Sequence, residues 1–201
     1  MKKALLLLVC TVTVILQGAV LGEYVFKSKT AQDISPAGKH PLSMPEAAAF
    51  TDDAVDMSVS EGIKLPVAAF PGANGTMEAE IQLKEKAGFR MFFIYYGGGD
   101  VLNIICSNTR FQCRFFSRSE NKWQSSKFTK AIPLGQFVKL SMVWNMPGKI
   151  TLTVDGSSVE LPVAKAANFV PRSSVMMLGS NQRGEWQFPG LVKSFKLTDG
   201  K

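Results

Sequence analysis

The strongest constraint on the fold is the segment FVKLSMVWNMPGKITLTVDGSSVEL, residues 137–161, whose pattern predicts three strands joined by two turns. The predicted buried faces are Val138, Leu140, Met142 and Trp144 on the first strand, and Ile150, Leu152 and Val154 on the second. Alternation of apolar and polar residues is typical of strands with one buried face. Pro147-Gly148 and Asp155-Gly156 supply the residue types that tight turns favour. Nothing in this segment is chemically reactive, so it constrains the fold and not the function.

Shorter segments of the same kind occupy most of the remaining chain. Further strands are predicted at residues 77–83, 89–95, 102–106, 111–115, 123–132, 175–178 and 191–197, with one or two more within residues 47–71. In the second of these, Phe89, Met91, Phe93 and Tyr95 are predicted to share one face. About ten short strands without a long amphipathic helix indicate an all-β sandwich or barrel.

The first 22 residues have the features of a secretory signal peptide. Two lysines precede an apolar run at residues 4–16, and Val20-Leu21-Gly22 resembles the end of a cleavable leader. Cleavage is expected before Glu23, which predicts a secreted, extracellular protein without an integral membrane span. The alternative is an uncleaved anchor, because the uncharged run continues to Leu21 and its length of about 18 residues is marginally enough to cross a bilayer.

The length of 201 residues favours a single domain after this leader. We divide the chain into the signal peptide (1–22), an extended N-terminal segment rich in proline (23–45), and the β-sandwich (46–201). The whole chain has a net charge of +7, and without the leader 21 basic residues stand against 16 acidic ones, a net charge of +5. Asn74-Gly75-Thr76 is a sequon, which a eukaryotic host would glycosylate at Asn74.

Two cysteines, Cys106 and Cys113, follow the leader. An even number of cysteines in a secreted chain favours a disulfide. The two residues lie symmetrically about a turn predicted at residues 107–110, and residues directly opposite each other on antiparallel strands are within disulfide reach. We therefore predict a disulfide across this hairpin, with two buried free thiols as the alternative.

Four segments resemble the strand and turn motifs of concanavalin A-like, laminin-G-like domains. They are GTMEAEIQL (75–83), LGQFVKLSMVW (134–144), KITLTVDGSSVEL (149–161) and MMLGSNQRGEWQFPGLVKSFKL (176–197). This resemblance implies two curved antiparallel sheets packed as a jelly-roll sandwich. The chain lacks the disulfide that laminin G domains usually carry near the C-terminal strand.

Galectins have a similar sandwich, with a His-x-Asn-x-Arg run and a Trp-Gly-x-Glu-x-Arg run. Asn103, Asn108, Arg110 and Trp123 occur here in a loosely similar order, but the histidine, the glycine and the glutamate of those runs are missing. The resemblance therefore does not imply galactoside ligands for this chain.

The residues that would support catalysis are scarce. Glycosidases of this superfamily place Glu-x-Asp-x-Glu on one strand, and this chain contains no Glu-x-Asp. The nearest arrangement, Glu78-Ala79-Glu80, reads as a solvated strand face, and His40 is the only histidine. We predict no enzymatic activity.

Cofactor ligands are equally sparse. Oxygen ligands for calcium are available from Asp100, Asn145 or Asn181, but no dense cluster of acidic or amide residues accompanies them. We predict no metal or other cofactor, with a calcium ion as the alternative.

The most suggestive feature is basic. Residues 108–130 contain six basic residues against Glu120 alone. Arg110, Arg114 and Arg118, here called the basic stripe, share parity on one strand, and arginines four residues apart lie about 13 Å from each other. Arginine presents a planar fork to sulfate or carboxylate groups, and Trp123 offers a ring on which a sugar can stack. The predicted ligand-binding residues are Arg110, Arg114, Arg118, Lys122, Trp123 and Lys127.

Together these features predict a secreted, non-catalytic module that binds extracellular glycans or glycoproteins, including acidic glycans. A solvated face that only maintains solubility is the alternative for the basic stripe. Nucleic acid is excluded as a partner by the predicted secretion. A structural or adhesion domain that binds proteins is the alternative function, and a relative of glycoside hydrolases is a more distant one.

Overall fold

The computed structural model describes residues 18–27, 30–36, 38, 40–42, 44–46, 48–51, 53–97, 99–169 and 174–200. Its strands are β1 (Val20–Lys27), β2 (Thr30–Asp33), β3 (Ala49–Phe50), β4 (Val55–Asp56), β5 (Ile63–Leu65), β6 (Asn74–Leu83), β7 (Arg90–Gly97), β8 (Asp100–Ser107), β9 (Arg110–Ser117), β10 (Lys122–Ser125), β11 (Phe137–Asn145), β12 (Gly148–Val154), β13 (Ser157–Val163), β14 (Ser174–Leu178) and β15 (Gly190–Asp199). A single turn of 3-10 helix spans Val67–Ala69. No helix in this part of the chain is long and apolar enough to cross a membrane.

The strands form two antiparallel sheets packed face to face. One is a nine-stranded sheet in the order β13-β12-β11-β6-β15-β1-β2, with β4 pairing to β15 and β3 pairing to β4. The other is a six-stranded sheet in the order β10-β9-β8-β7-β14-β5. This is the all-β, two-sheet antiparallel sandwich that the sequence predicts.

The segment at residues 137–161 forms three consecutive strands, as its alternation predicts. Apolar residues of β11 and β12 lie in the core between the sheets, including Leu140, Met142, Ile150 and Leu152. Asp155 and Gly156 both have positive φ (48° and 74°), which is the geometry of the predicted tight hairpin turn.

Strand β7 differs from the sequence prediction in the faces of its side chains. Its pairing with β8 shifts register between Met91 and Phe93, and a bulge of this kind reverses the alternation. Phe93 and Tyr95 therefore lie in the main core, whereas Met91 packs in a second cluster with Ile94 on the outer face. The prediction that Phe89, Met91, Phe93 and Tyr95 share one face is wrong.

The strand predicted at residues 123–132 is shorter than expected. It is limited to β10, after which the chain continues as an irregular segment beside β9. The Ser126 and Thr129 N–H groups donate to the Cys113 and Phe111 carbonyls at 3.0 and 2.8 Å. These bonds tie the segment to the sheet without extending β10.

The predicted N-terminal segment contributes the β1–β2 hairpin to the nine-stranded sheet. Tyr24 and Phe26 are fully buried in the core, and the Tyr24 hydroxyl donates to the His40 carbonyl at 2.9 Å. Strand β1 begins at Val20, which pairs with Thr198 before the expected cleavage position. Residues 1–17, with most of the predicted leader, lie outside the described residues.

The predicted disulfide is wrong, because Cys106 and Cys113 are both free and buried. The hairpin closes through a Ser107–Arg110 pair, so Cys106 lies opposite Phe111 and Cys113 opposite Ile104. The turn is therefore centred nearer to Cys106 than the symmetric placement assumes. The two cysteines become diagonal neighbours, which lie farther apart than directly opposite residues.

Both thiols are expected to resist labelling by a maleimide in the native protein at mildly alkaline pH. Burial raises the pKa of Cys106 to about 12 and also raises the pKa of Cys113, so little thiolate is present to react. Mass spectrometry should show two labels once the protein is unfolded without reductant. Cysteines that accept label only after a reductant is added would instead indicate a disulfide.

Candidate functional site

Paired residues on neighbouring strands form rows across the outer face of the six-stranded sheet. One row consists of Tyr96, Val101, Phe116 and Trp123, and the next consists of Ile94, Asn103, Arg114 and Ser125. Alternate residues on the same strands, such as Leu102 and Phe115, lie in the core. The outer face therefore carries an apolar cluster with a few polar side chains set into it.

A cleft of about 390 Å³ lies over these rows. Its apolar and aromatic lining residues are Met91, Ile94, Tyr96, Val101, Trp123 and Trp186, and its polar ones are Asn103, Arg114, Asn181, Gln182, Arg183 and Glu185. We call this set of residues the aromatic cleft. Mostly apolar walls with a few polar groups are typical of small-ligand sites.

Asn103 is the polar residue in the floor of the aromatic cleft. It lies on β8 between Ile94 of β7 and Arg114 of β9, and only 2% of its surface is exposed. Its side-chain oxygen is buried and has no hydrogen-bond partner among the described residues. A buried acceptor without a partner costs free energy, so such groups in folded proteins call for an explanation.

Arg114 lies between two aromatic rings. Its guanidinium carbon is 4.3 Å from the centroid of the Trp123 ring and 5.5 Å from that of Phe89. Burial lowers the pKa of Arg114, but guanidinium groups remain charged at neutral pH. The two rings hold a cation at the wall of the cleft.

The opposite wall is the loop that precedes β15. The Asn181 side-chain oxygen accepts the Arg183 and Glu185 N–H groups, each at 2.9 Å, and its amide donates to Glu185 Oε2 at 3.2 Å. Trp186 follows with φ of +57°, a conformation that is uncommon for a bulky residue. Its carbonyl accepts the Met91 N–H at 2.9 Å, which ties the loop to β7.

The Trp186 side chain is set over the sheet by this loop. Its ring meets Phe89 edge to face at 5.3 Å between centroids, yet 47% of the residue is exposed. Trp123, on the other wall, is 42% exposed. Large exposed aromatic residues on both sides of one cleft indicate a surface that binds a partner.

The structure brings together only part of the predicted binding set. Arg114 and Trp123 are in direct contact in the aromatic cleft. Arg110 lies four residues away on the same face of β9, where it lines a different cavity.

The other predicted residues lie elsewhere. Arg118 follows the end of β9, and its N–H donates to Asp100 at 2.8 Å. Lys122 pairs with Ser117, so strand alternation places it on the face opposite to that of Trp123. Lys127 is exposed in the irregular segment after β10.

Sequence reasoning missed Asn103, Phe89 and Trp186 as members of the site. The available signal for Asn103 was a single amide in the apolar run VLNIIC. For Trp186 the signal was an aromatic residue in a polar, glycine-containing loop. Neither signal indicates which face or which neighbouring strand the residue meets.

Charge is distributed differently on the two sheets. Ion pairs on or beside the strands of the nine-stranded sheet are Lys84–Asp56, Lys149–Glu160, Lys193–Glu80 and Lys196–Glu23. In contrast, Arg110, Arg114 and Arg118 make no ion pair with any described residue. The three arginines of the basic stripe are therefore unpaired positive charges on and beside the six-stranded sheet.

The calcium ligands considered from the sequence are not brought together. The Asp100 carboxylate accepts hydrogen bonds from the backbone N–H groups of Arg118 and Asn168. The Asn181 side chain accepts a hydrogen bond within its own loop, from the Arg183 N–H. Asn145 ends β11 and pairs with Lys149. Among the described residues, no group of three or more histidine, cysteine, aspartate or glutamate side chains has the proximity needed to hold a metal ion.

Comparison with known proteins shows which families and structures this chain resembles. A sequence model of the Laminin_G_3 family, described as concanavalin A-like lectin/glucanases superfamily, matches residues 57–201. No curated protein sequence matches the chain.

Three solved structures illustrate the structural similarity. Domain 4 of AbnA, a GH43 extracellular arabinanase from Geobacillus stearothermophilus in complex with arabinotriose, has a TM-score of 0.69 and 15% identity, and the match covers 92% of this chain and 94% of that one. The botulinum neurotoxin serotype D binding domain has a TM-score of 0.68 and 9% identity, covering 91% of this chain and 48% of that one. Trypanosoma rangeli sialidase in complex with sialic acid has a TM-score of 0.62 and 13% identity, covering 90% and 30%. This chain thus spans about half of the neurotoxin domain, and identities this low establish a shared fold only.

Proposed function

Since the chain belongs to the concanavalin A-like lectin/glucanases superfamily, we propose that it is a secreted, non-catalytic module that binds extracellular glycans through the aromatic cleft. The arabinotriose complex of the AbnA domain supports this proposal, because it shows a sugar ligand on a domain of similar fold and length. The ligand preference of the present chain depends on the residues of its own cleft.

The observation that carries the proposal is the unpartnered Asn103 oxygen in a cleft that is also lined by two exposed tryptophans. A sugar presents hydroxyl donors along its edge and an apolar C–H face. A hydroxyl that reached Asn103 would satisfy the buried acceptor, while the apolar face would pack on Trp123 or Trp186. One ligand of this chemistry accounts for both features of the cleft.

The charge distribution favours acidic glycans. Arg114 and Arg183 line the cleft, Glu185 is the one carboxylate among its described lining residues, and Arg114 makes no ion pair with a described residue. Arginine binds carboxylate and sulfate groups in a planar, bidentate geometry. A glycan with such a group would supply the missing counter-charge.

The carboxylates of the cleft support binding without hydrolysis. Most glycosidases require two carboxyl groups that flank the scissile bond. The described lining residues of the aromatic cleft contribute one, Glu185, which is held by Asn181. Glu78 and Glu80 lie on β6 of the nine-stranded sheet, where Glu80 pairs with Lys193 at 3.2 Å.

The proposal is tested by a glycan array that carries neutral and acidic glycans, probed with the wild-type protein and with Asn103→Leu. The wild type is expected to bind acidic glycans. The variant is expected to lose that binding while its free energy of unfolding stays equal or rises, because leucine removes a buried acceptor that has no partner.

An array on which the wild type binds no glycan would contradict the proposal and favour the protein-adhesion alternative. Retained binding by a folded Asn103→Leu variant would exclude the aromatic cleft as the site. Repeating the array with calcium and with a chelator tests the expectation that binding is independent of the metal.

A further inference from the structure

A second cavity, of about 520 Å³, lies at the turn between β8 and β9. It is lined by Lys86, Ser107, Asn108, Thr109, Arg110, Phe128 and Ala131. We call it the turn cavity. Its lining contains two basic side chains and several hydroxyl or amide groups, but no carboxylate. This composition suits an anion.

The walls of the turn cavity are fixed by backbone hydrogen bonds. The Asn108 N–H donates to the Ala87 carbonyl at 2.9 Å, which ties the turn to the segment that carries Lys86. The Thr109 carbonyl accepts the Ile132 N–H at 2.9 Å, which ties it to the segment that carries Phe128. Three separate parts of the chain therefore form one preorganised concave surface.

The turn cavity and the aromatic cleft are joined by strand β9. Arg110 lines the first and Arg114 the second, and strand geometry places the two residues about 13 Å apart on the same face. Phe89 contacts Arg114 and directly precedes Arg90, which pairs with Cys106 beside the turn. An aromatic ring thus lies on the path between the two sites.

We propose that the turn cavity is a second subsite, which binds another acidic group of the same glycan chain that occupies the aromatic cleft. This inference rests on the proposed function and adds the ligand's size and charge spacing. The separation of the arginines exceeds the span of one sugar ring, so only a chain of several sugars reaches both subsites. The protein therefore selects acidic oligosaccharides that lie along β9.

The inference predicts that affinity increases with chain length only when both subsites are intact. Isothermal titration calorimetry would compare heparin-derived disaccharides and octasaccharides, which are sulfated, with oligogalacturonates of the same lengths, which carry carboxylates only. The wild type is expected to bind the longer chain of at least one series about tenfold or more tightly than its disaccharide, because the second contact is intramolecular. The preferred series identifies the acidic group.

The test variant is Lys86→Ala with Arg110→Ala, and the matched control is Lys139→Ala with Lys149→Ala on the nine-stranded sheet. Both remove two positive charges, but only the first pair lines the turn cavity. The test variant is expected to lose most of the increase in affinity that the longer oligosaccharide gives. The control variant is expected to keep that increase.

If both double variants lost the chain-length gain in affinity equally, the gain would depend only on net charge, and the second subsite would be overturned. Wild-type protein that binds both lengths with equal affinity would also overturn it, while leaving glycan binding by the aromatic cleft intact. Failure to bind any of these acidic oligosaccharides overturns the second subsite as well. The array distinguishes that result from failure of the proposed function, which requires that no glycan of any kind binds.

Discussion

Replacing Trp186 by glycine is expected to weaken acidic-glycan binding about tenfold or more, without lowering the free energy of unfolding. The tryptophan ring is half exposed at the wall of the aromatic cleft, so its removal takes away a contact surface for the ligand and little of the core. Its φ of +57° is a conformation that glycine adopts without strain. Calorimetric titration with the strongest glycan from the array, together with urea unfolding, measures both effects.

The matched control is Phe137→Ala, which removes a comparably exposed aromatic residue from the nine-stranded sheet. It is expected to leave glycan affinity unchanged. If Trp186→Gly bound glycan as tightly as the wild type, Trp186 would have no role in binding. A large drop in stability of Trp186→Gly would show that the ring supports the loop instead.

Replacing Trp144 by alanine is expected to lower the free energy of unfolding by about 4 kcal/mol, the typical cost of removing a large aromatic side chain from a core. Trp144 is 1% exposed, and its indole N–H donates to the Gly72 carbonyl at 2.8 Å. The ring packs against Gly75, where a Cβ atom would lie 2.6 Å from the indole. The loss therefore combines a cavity with an unpaired carbonyl.

Val143→Ala, at the neighbouring position on the outer face of β11, is the control for this prediction. Val143 is 46% exposed, so its truncation is expected to change stability by no more than about 0.5 kcal/mol. Similar unfolding midpoints in urea for the two variants would contradict the assignment of buried and exposed faces on β11.

The architecture was predictable from the sequence because alternation is a local signal with a global consequence. The alternating apolar residues can all be buried only if adjacent strands turn the same face to the core. The structure pairs the strands that contain residues 138–144 and 150–154 in this way. Regular alternation fails where a strand contains an extra residue. The bulge of β7 moves Met91 to the outer face, and no residue in its sequence identifies that shift.

The incorrect register of the cysteines and the placement of Arg118 outside β9 have a related cause. The number of residues in a hairpin loop sets the register, and the pair Ser107–Arg110 leaves Asn108 and Thr109 as the turn, both with positive φ. Thr109 is β-branched, and this residue type gives no signal of such a turn. Similarly, Arg118 has the parity of the basic stripe but lies beyond the last residue of β9.

The aromatic cleft was only partly predictable, because it depends on contacts between residues distant in sequence. Arg114 and Trp123 belong to adjacent strands and could be grouped by proximity along the chain. Phe89 and Trp186 come from nearly a hundred residues apart, and their contact depends on how the loop before β15 crosses β7. Asn103 becomes significant only when its neighbours on both sides leave its oxygen without a partner.

The central claim is that a glycan binds the outer face of the six-stranded sheet, and the three tryptophans of the chain allow a direct test. Each indole N–H gives a separate signal in a proton–nitrogen correlation NMR spectrum, and single substitutions assign them. Titration with an acidic oligosaccharide is predicted to shift the Trp123 and Trp186 signals while the signal of the buried Trp144 stays in place. Saturable binding that leaves the Trp123 and Trp186 signals unmoved would contradict the account.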